Sequence, residues 1–190
     1  MKMKFCSECA APIVRLIPDG DDHLRDVCSQ CKTIFYQNPK VIVGTLPIWD
    51  DKVMLCKRAI EPRYGYWTLP AGFLELAEST WQGAQRETRE EAGATVEEGM
   101  LYGVYDLPYI SQIYMFYLAE VKDGLHDAGV ESLEVDWFER SQIPWHDLAF
   151  PVIKTMLERY FLDRDNGTFS TFHETIEFRP RAHYNNESGD

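Results

Sequence analysis

The chain has 190 residues, 45% of them hydrophobic, which suits one ordinary domain or a domain with a small appendage. Its formal net charge of −12 argues against tracking along a phosphate backbone, and an anionic ligand would need a cation to enter an acidic cleft. No run reaches the roughly 18 apolar residues of a membrane span. Residues 1–6 hold no apolar signal-peptide core, so a cytoplasmic protein with no membrane partner is expected.

Two Cys-x-x-Cys pairs come first, Cys6/Cys9 and Cys28/Cys31. Each pair offers two thiolates from one tight turn, and together they complete a closed tetrahedral shell, the pattern of a structural zinc ribbon. Disulfides are the competing reading, but a chain without a signal peptide is expected in a reducing compartment. The turn Pro18-Asp19-Gly20-Asp21-Asp22 joins two expected strands, Ile13–Ile17 and Leu24–Val27. Residues 1–35 therefore read as a metal-stapled knuckle too small for its own core. With few basic residues it suits a structural or dimer-forming role better than nucleic-acid binding. Asn38-Pro39 marks the passage to a main domain over residues 36–165.

Val41–Ile48 and Lys52–Arg58 read as buried strands, with Cys56 a small core residue. Residues 61–70 form an aromatic loop, and Arg63, Tyr64 and Trp67, with Tyr109 further on, offer flat surfaces to a nucleobase or flavin ring. Trp67 and Tyr64 could equally pack beneath the loop. Arg58 is placed to meet a phosphate. A helix follows, capped by Ser79 or Thr80 and stopped by Gly93. Within it Glu87, Glu90 and Glu91 stand at i, i+3 and i+4, three like charges on one face, which repel unless an arginine or a divalent cation arrives. Thr95–Asp106, Gln112–Val121 and Glu134–Phe138 are strand-like. Pro151 opens an amphipathic helix to about Leu162. Residues 166–190 are expected to hold a late strand, Thr168–Phe178, and a mobile polar tail from Ala182. Strands interspersed with two helices argue for α/β layers around a mixed sheet.

Gly72, Glu78, Arg86-Glu87, Glu90-Glu91 and Gly93 fall at the spacing G-x5-E-x7-R-E-U-x-E-E-x-G-U, where U is a bulky aliphatic. The stretch resembles the Nudix box at every polar and glycine position. Thr88 and Ala94 stand where the pattern has its aliphatics, which bears on packing under the helix. With the ribbon, Asn38–Gly44, Ala59–Pro62, Trp67–Gly72, Glu131–Glu134 and Ile143–Phe150, the chain resembles the zinc-ribbon Nudix enzymes of plant plastids that cleave FAD and ADP-ribose. NADH pyrophosphatases also carry such a ribbon, but their S-Q-P-W-P-F-P signature is missing after the box.

The resemblance implies an α/β/α sandwich around a mixed sheet, and hydrolysis of a small diphosphate to AMP and a second phosphate product. It implies catalytic Mg²⁺ or Mn²⁺, structural Zn²⁺, a small-molecule nucleotide substrate without nucleic acid, and a homodimer. Glu78, Glu87, Glu90, Glu91 and the Gly72 carbonyl would hold the metal, with Glu90 or Glu91 also poised as base. Arg86 would orient a glutamate. Glu131 and Glu134 are the alternative bases from a later loop. A non-catalytic nucleotide sensor is the reading from another class, and such proteins commonly lack box glutamates that this chain keeps.

Overall fold

The computed structural model describes residues 3–97 and 99–177. The chain divides into two compact units, Met1–Pro39 and Lys40–Asp190.

In the first unit, strands β1 (Ile13–Leu16), β2 (Arg25–Cys28) and β3 (Ile34–Phe35) form a three-stranded antiparallel sheet. The sequence pattern marks the first two within a residue or so of their ends and misses β3, which is too short to carry a period. Its buried hydrophobic cluster consists of Cys6, Ala11 and Cys28, with Ile13 and Phe35 packed against them. Two of those three are cysteines, so the unit has little apolar core without a staple.

In the second unit, strands β4 (Lys40–Trp49), β5 (Lys52–Arg58), β6 (Trp67–Thr68), β7 (Ala71–Phe73), β8 (Met100–Leu107), β9 (Gln112–Glu120), β10 (Ser132–Phe138) and β11 (Phe172–Thr175) make one sheet. Its main order is β10-β5-β4-β9-β8-β11, with β6 on β5 and β7 on β4. Only β4–β9 and β11–β8 pair in parallel among these ladders, so the sheet is mixed. Helix α1 (Thr80–Ala92) and helix α2 (Pro151–Asn166) supply the outer layers. Alternation along β5 sends Val53 and Leu55 into the cluster containing α2's Val152, Ile153, Met156 and Leu157. Met54 and Cys56 join the cluster containing Ala92, Ala94 and Trp137. The expected α/β/α sandwich is what the chain forms.

Some boundaries differ from expectation. Thr95–Glu97 are not strand, and β8 begins at Met100. Helix α2 runs to Asn166, because Gly167 (φ +67°) closes it through bonds to Arg164 and Asp163 carbonyls. The late strand shrinks to β11, held on β8 by register and by His173 Nε2 at 2.7 Å from Asp106 Oδ2. Phe178 and the tail from Ala182 lie outside the described residues.

Candidate active site

The site is built on the entrance and the face of α1. Ser79 caps the helix by accepting from Gln82 N–H, and the Gln82 side chain accepts from Ser79 N–H, a reciprocal capping box. Gly93 (φ +62°) ends it. The fixed helix then places Arg86, Glu87, Glu90 and Glu91 beside the β7 segment. There a Cβ on Gly72 would lie 2.3 Å from the Glu87 carboxylate, so only glycine lets that carboxylate rest on the main chain.

Arg86 gathers the carboxylates. Its Nε and Nη2 donate to both oxygens of Glu78 at 3.1 and 2.8 Å, and Nη2 also donates to Phe73 O. Its Nη1 donates to Glu87 Oε1 at 2.7 Å and to Glu90 Oε2 at 3.0 Å. The guanidinium thus occupies one oxygen of Glu87 and one of Glu90. Burial raises the Glu87 pKa against the pull of Arg86. Glu91, 7% exposed, accepts from Ala71 N–H at 3.1 Å. Burial, helped by the neighbouring Glu87 and Glu131 charges, pushes its pKa up to about 8.

A cavity of about 900 Å³ opens over these groups. Glu87, Glu90, Glu91 and Glu131 share its lining with Gly72, and Arg58 is the one Lys or Arg among the described lining residues. Ile42, Leu107, Tyr109, Tyr114 and Phe150 give an apolar wall. Arg58 sits 5.2 Å over the Phe150 ring, and its Nε donates to Pro62 O, so that among the described residues its terminal nitrogens have no hydrogen-bond partner.

Several expected site residues stand elsewhere. Glu78 does not line the cavity; it is the bidentate partner of Arg86. Glu134 pairs with Lys57 at 3.3 Å, across the register that sets it opposite Lys57 on β5. Trp67 is 8% exposed and stacks edge-on to Phe138, its main chain clamped by Asp147 and Ala149. Arg63 lies over Tyr66, and Tyr64 is exposed, both outside the lining. The wall residues Ile42, Tyr114 and Phe150 were not singled out from the sequence. They come from β4, β9 and the start of α2, and only the fold brings them together.

The glutamates fit a hard divalent cation by donor chemistry: carboxylate oxygens, with buried Glu91 and half-buried Glu87 both pushed toward the neutral form, around a main-chain cradle that a Cβ would fill. In the first unit, the Cys6, Cys9, Cys28 and Cys31 sulfurs lie within 4.8 Å of one another, with Cys6–Cys31 at 3.7 Å and Cys9–Cys28 at 3.4 Å. A tetrahedral zinc–thiolate shell has sulfur–sulfur edges of about 3.8 Å, so the four fit zinc. Thr33 Oγ1, 3.1 Å from Cys31 Sγ, helps hold that thiol's pKa down to about 6, toward the ligating thiolate.

Comparison with known proteins matches this geometry. The NUDIX domain family covers residues 38–160, and the Nudix N-terminal zinc-ribbon family covers residues 4–37. A NUDIX hydrolase crystal structure from Nitrosomonas europaea superposes with a TM-score of 0.89 at 52% identity, over 92% of this chain and 99% of that one. A protein named ADP-ribose pyrophosphatase from Methanocaldococcus jannaschii is 32% identical, over 60% of this chain and 69% of its own length. A protein named NAD-capped RNA hydrolase NudC from Vibrio atlanticus is 30% identical over 77% of this chain, and the chain spans 50% of that relative's length. With a catalytic-type box on α1 and the family pattern running through both units, the chain belongs to the Nudix hydrolase family.

Proposed function

We propose that the chain is a Mg²⁺- or Mn²⁺-dependent pyrophosphohydrolase acting on an ADP-containing dinucleotide or nucleotide sugar, FAD or ADP-ribose first, and releasing AMP. The observation that carries this reading is the sharing of one cavity by the box glutamates Glu87, Glu90 and Glu91 with Glu131, one arginine and an aromatic-aliphatic wall. The carboxylates suit cations that accompany a diphosphate, and the wall suits a flat ring system attached to it.

Glu87, Glu90 and Glu91 would hold the cations, with the Gly72 main chain beside them. A metal held there would supply polarisation of the phosphoryl oxygens and a lowered pKa for a water near neutral pH. Arg86 fixes the orientation of Glu87 and Glu90 by holding one oxygen of each. Ala71 N–H does the same for Glu91. Glu131 accepts the proton as the water oxygen bonds to phosphorus and the bridging P–O bond breaks. Its place in the lining, against the Lys57 pairing of Glu134, favours Glu131 as this base. Arg58 steadies a phosphate oxygen with its terminal nitrogens.

The test is direct: incubation with FAD, ADP-ribose and NADH in the presence of Mg²⁺, followed by assay for AMP. AMP from FAD or ADP-ribose supports the reading. AMP from NADH alone favours an NADH pyrophosphatase, while the name of the Vibrio relative points to NAD-capped RNA as a further substrate to assay. Tight binding of one nucleotide without AMP from any marks a sensor. A homodimer belongs to the same reading, and sedimentation equilibrium tests it.

A further inference from the structure

The segment that carries Glu131 is seated on the C-terminal end of α1 through its main chain. Asp127 N–H donates to Ala92 O at 2.8 Å, and Gly129 N–H donates to Glu91 O at 3.1 Å. Both carbonyls belong to the last turn, where a helix leaves its acceptors unmet. On the other side of Glu131, Ser132 N–H donates to Gly129 O at 3.0 Å, and Ala59 N–H donates to Glu131 O at 2.8 Å. Glu131 therefore sits in a short span tied to the glutamate helix at one end and to the end of β5 at the other.

Gly129 makes the seat possible. A Cβ there would fall 1.7 Å from Glu90 O and 2.9 Å from Glu90 C. Those are main-chain atoms of a helix, which no rotamer change relieves. The helix residues in contact, Glu90 and Glu91, are box glutamates, so the contact ties the later loop to the metal-holding face.

We propose that Gly129 is a positioning residue: its bare Cα lets the loop close onto α1 so that Glu131 reaches the cavity beside Glu87 and Glu91. This rests on the assignment of Glu131 as the proton acceptor made above. Any side chain at this position lifts the loop and carries Glu131 out of reach, and a displacement of about 1 Å at a reacting group costs on the order of 10²-fold in rate.

The test is a double-mutant cycle on the full chain with Mg²⁺ and whichever diphosphate the wild type cleaves. Glu131→Gln is expected to lower kcat by about 10²-fold or more. Gly129→Ala is expected to lower kcat by a comparable factor with KM little changed, and the double variant to fall no further than Glu131→Gln alone. A variant with one glycine inserted between Gly129 and Val130 adds slack without a clash. It is expected to fall to the same level, and it decides the matter should Gly129→Ala not fold. Losses that multiply in the double variant, or a slack variant at the wild-type rate, would overturn the proposal. A wild-type rate in Glu131→Gln overturns it too, while leaving the hydrolase reading intact. A wild type inert on every diphosphate removes both.

Discussion

The hydroxyls of Thr45 and Thr88 meet at 2.6 Å inside the sheet–helix interface, both residues fully buried. Thr88 fills a box position where the family pattern has a bulky aliphatic. Its Oγ1 donates to Ala84 O at 2.7 Å, one turn back, and so takes the Thr45 hydroxyl as a donor. The departure at Thr88 is thus matched by a threonine on β4. Thr88→Val strands the Thr45 hydroxyl in a dry contact and is expected to cost about 1–3 kcal/mol, the scale of a buried polar group without a partner. Thr45→Val leaves Thr88 bonded to Ala84 and should cost less. The double variant restores an apolar pair and should be more stable than the sum of the single changes allows. Urea unfolding of the four proteins measures the coupling, and simple additivity would show that the two hydroxyls do not act as a pair.

Arg86 links three carboxylates and the Phe73 carbonyl, a job that needs the planar fork of a guanidinium. Arg86→Lys keeps the charge but has a single ammonium to share among Glu78, Glu87 and Glu90. The expected result is a Mg²⁺ half-saturation raised about 10-fold to 100-fold, the usual scale for groups that orient metal ligands. Turnover at saturating Mg²⁺ should fall less. A Mg²⁺ activation curve identical to wild type would remove the orienting role from Arg86.

The box helix was legible because its signals are local: a serine or threonine cap, a glycine stop, and glutamates at helical spacing. The four cysteines were legible for the same reason, since each pair lies within one turn. The cavity wall was not legible. Ile42, Tyr114 and Phe150 are far apart in the chain, and each reads by itself as an ordinary core residue. The cluster Arg63–Trp67 left two readings open, a ligand surface or core packing, and for Trp67 the structure takes the second, through the bonds of its main chain to Asp147 and Ala149. Strands β6 and β7, two and three residues long, have no period to detect and exist because β5 and β4 lie beside them. Glu131 and Glu134 were indistinguishable until strand register gave Glu134 to Lys57.

The cysteine cluster makes a separate prediction about metal content. Cys28 is fully buried, and its sulfur lies 3.4 Å from that of Cys9. The protein purified without chelator should carry about one zinc per chain by elemental analysis, as a closed four-thiolate site holds its ion without an open position. Cys28→Ser should lose most of that zinc. Residues 1–39 should then become sensitive to proteolysis, because the unit has so little apolar core to fall back on. Full zinc content in Cys28→Ser, or a wild type free of zinc, would count against the ribbon.

Glu91 gives the protein a pH dependence whose sign follows from its burial. The ordinary carboxyl value is 4.5, and in the fold it is pushed up to about 8, mainly by burial and further by the Glu87 and Glu131 charges. Below about pH 4.5 the group is protonated in folded and unfolded chain alike, and its preference for the fold is fully present. Between 4.5 and 8 the unfolded chain releases the proton while the folded chain keeps it, so stability falls as pH rises and the contribution is gone above about 8. Glu87, raised in the same direction by burial, adds to the trend. Protein dialysed free of Mg²⁺ should therefore lose melting temperature across this range, relative to Glu91→Gln under the same conditions. The amide can still accept from Ala71 N–H but carries no charge to bury. Added Mg²⁺ should raise the wild-type melting temperature most at the alkaline end, where the carboxylates are ionised and ready to ligate. Parallel wild-type and Glu91→Gln melting curves from pH 5 to 8.5 would show that the buried carboxyl does not titrate as the geometry requires.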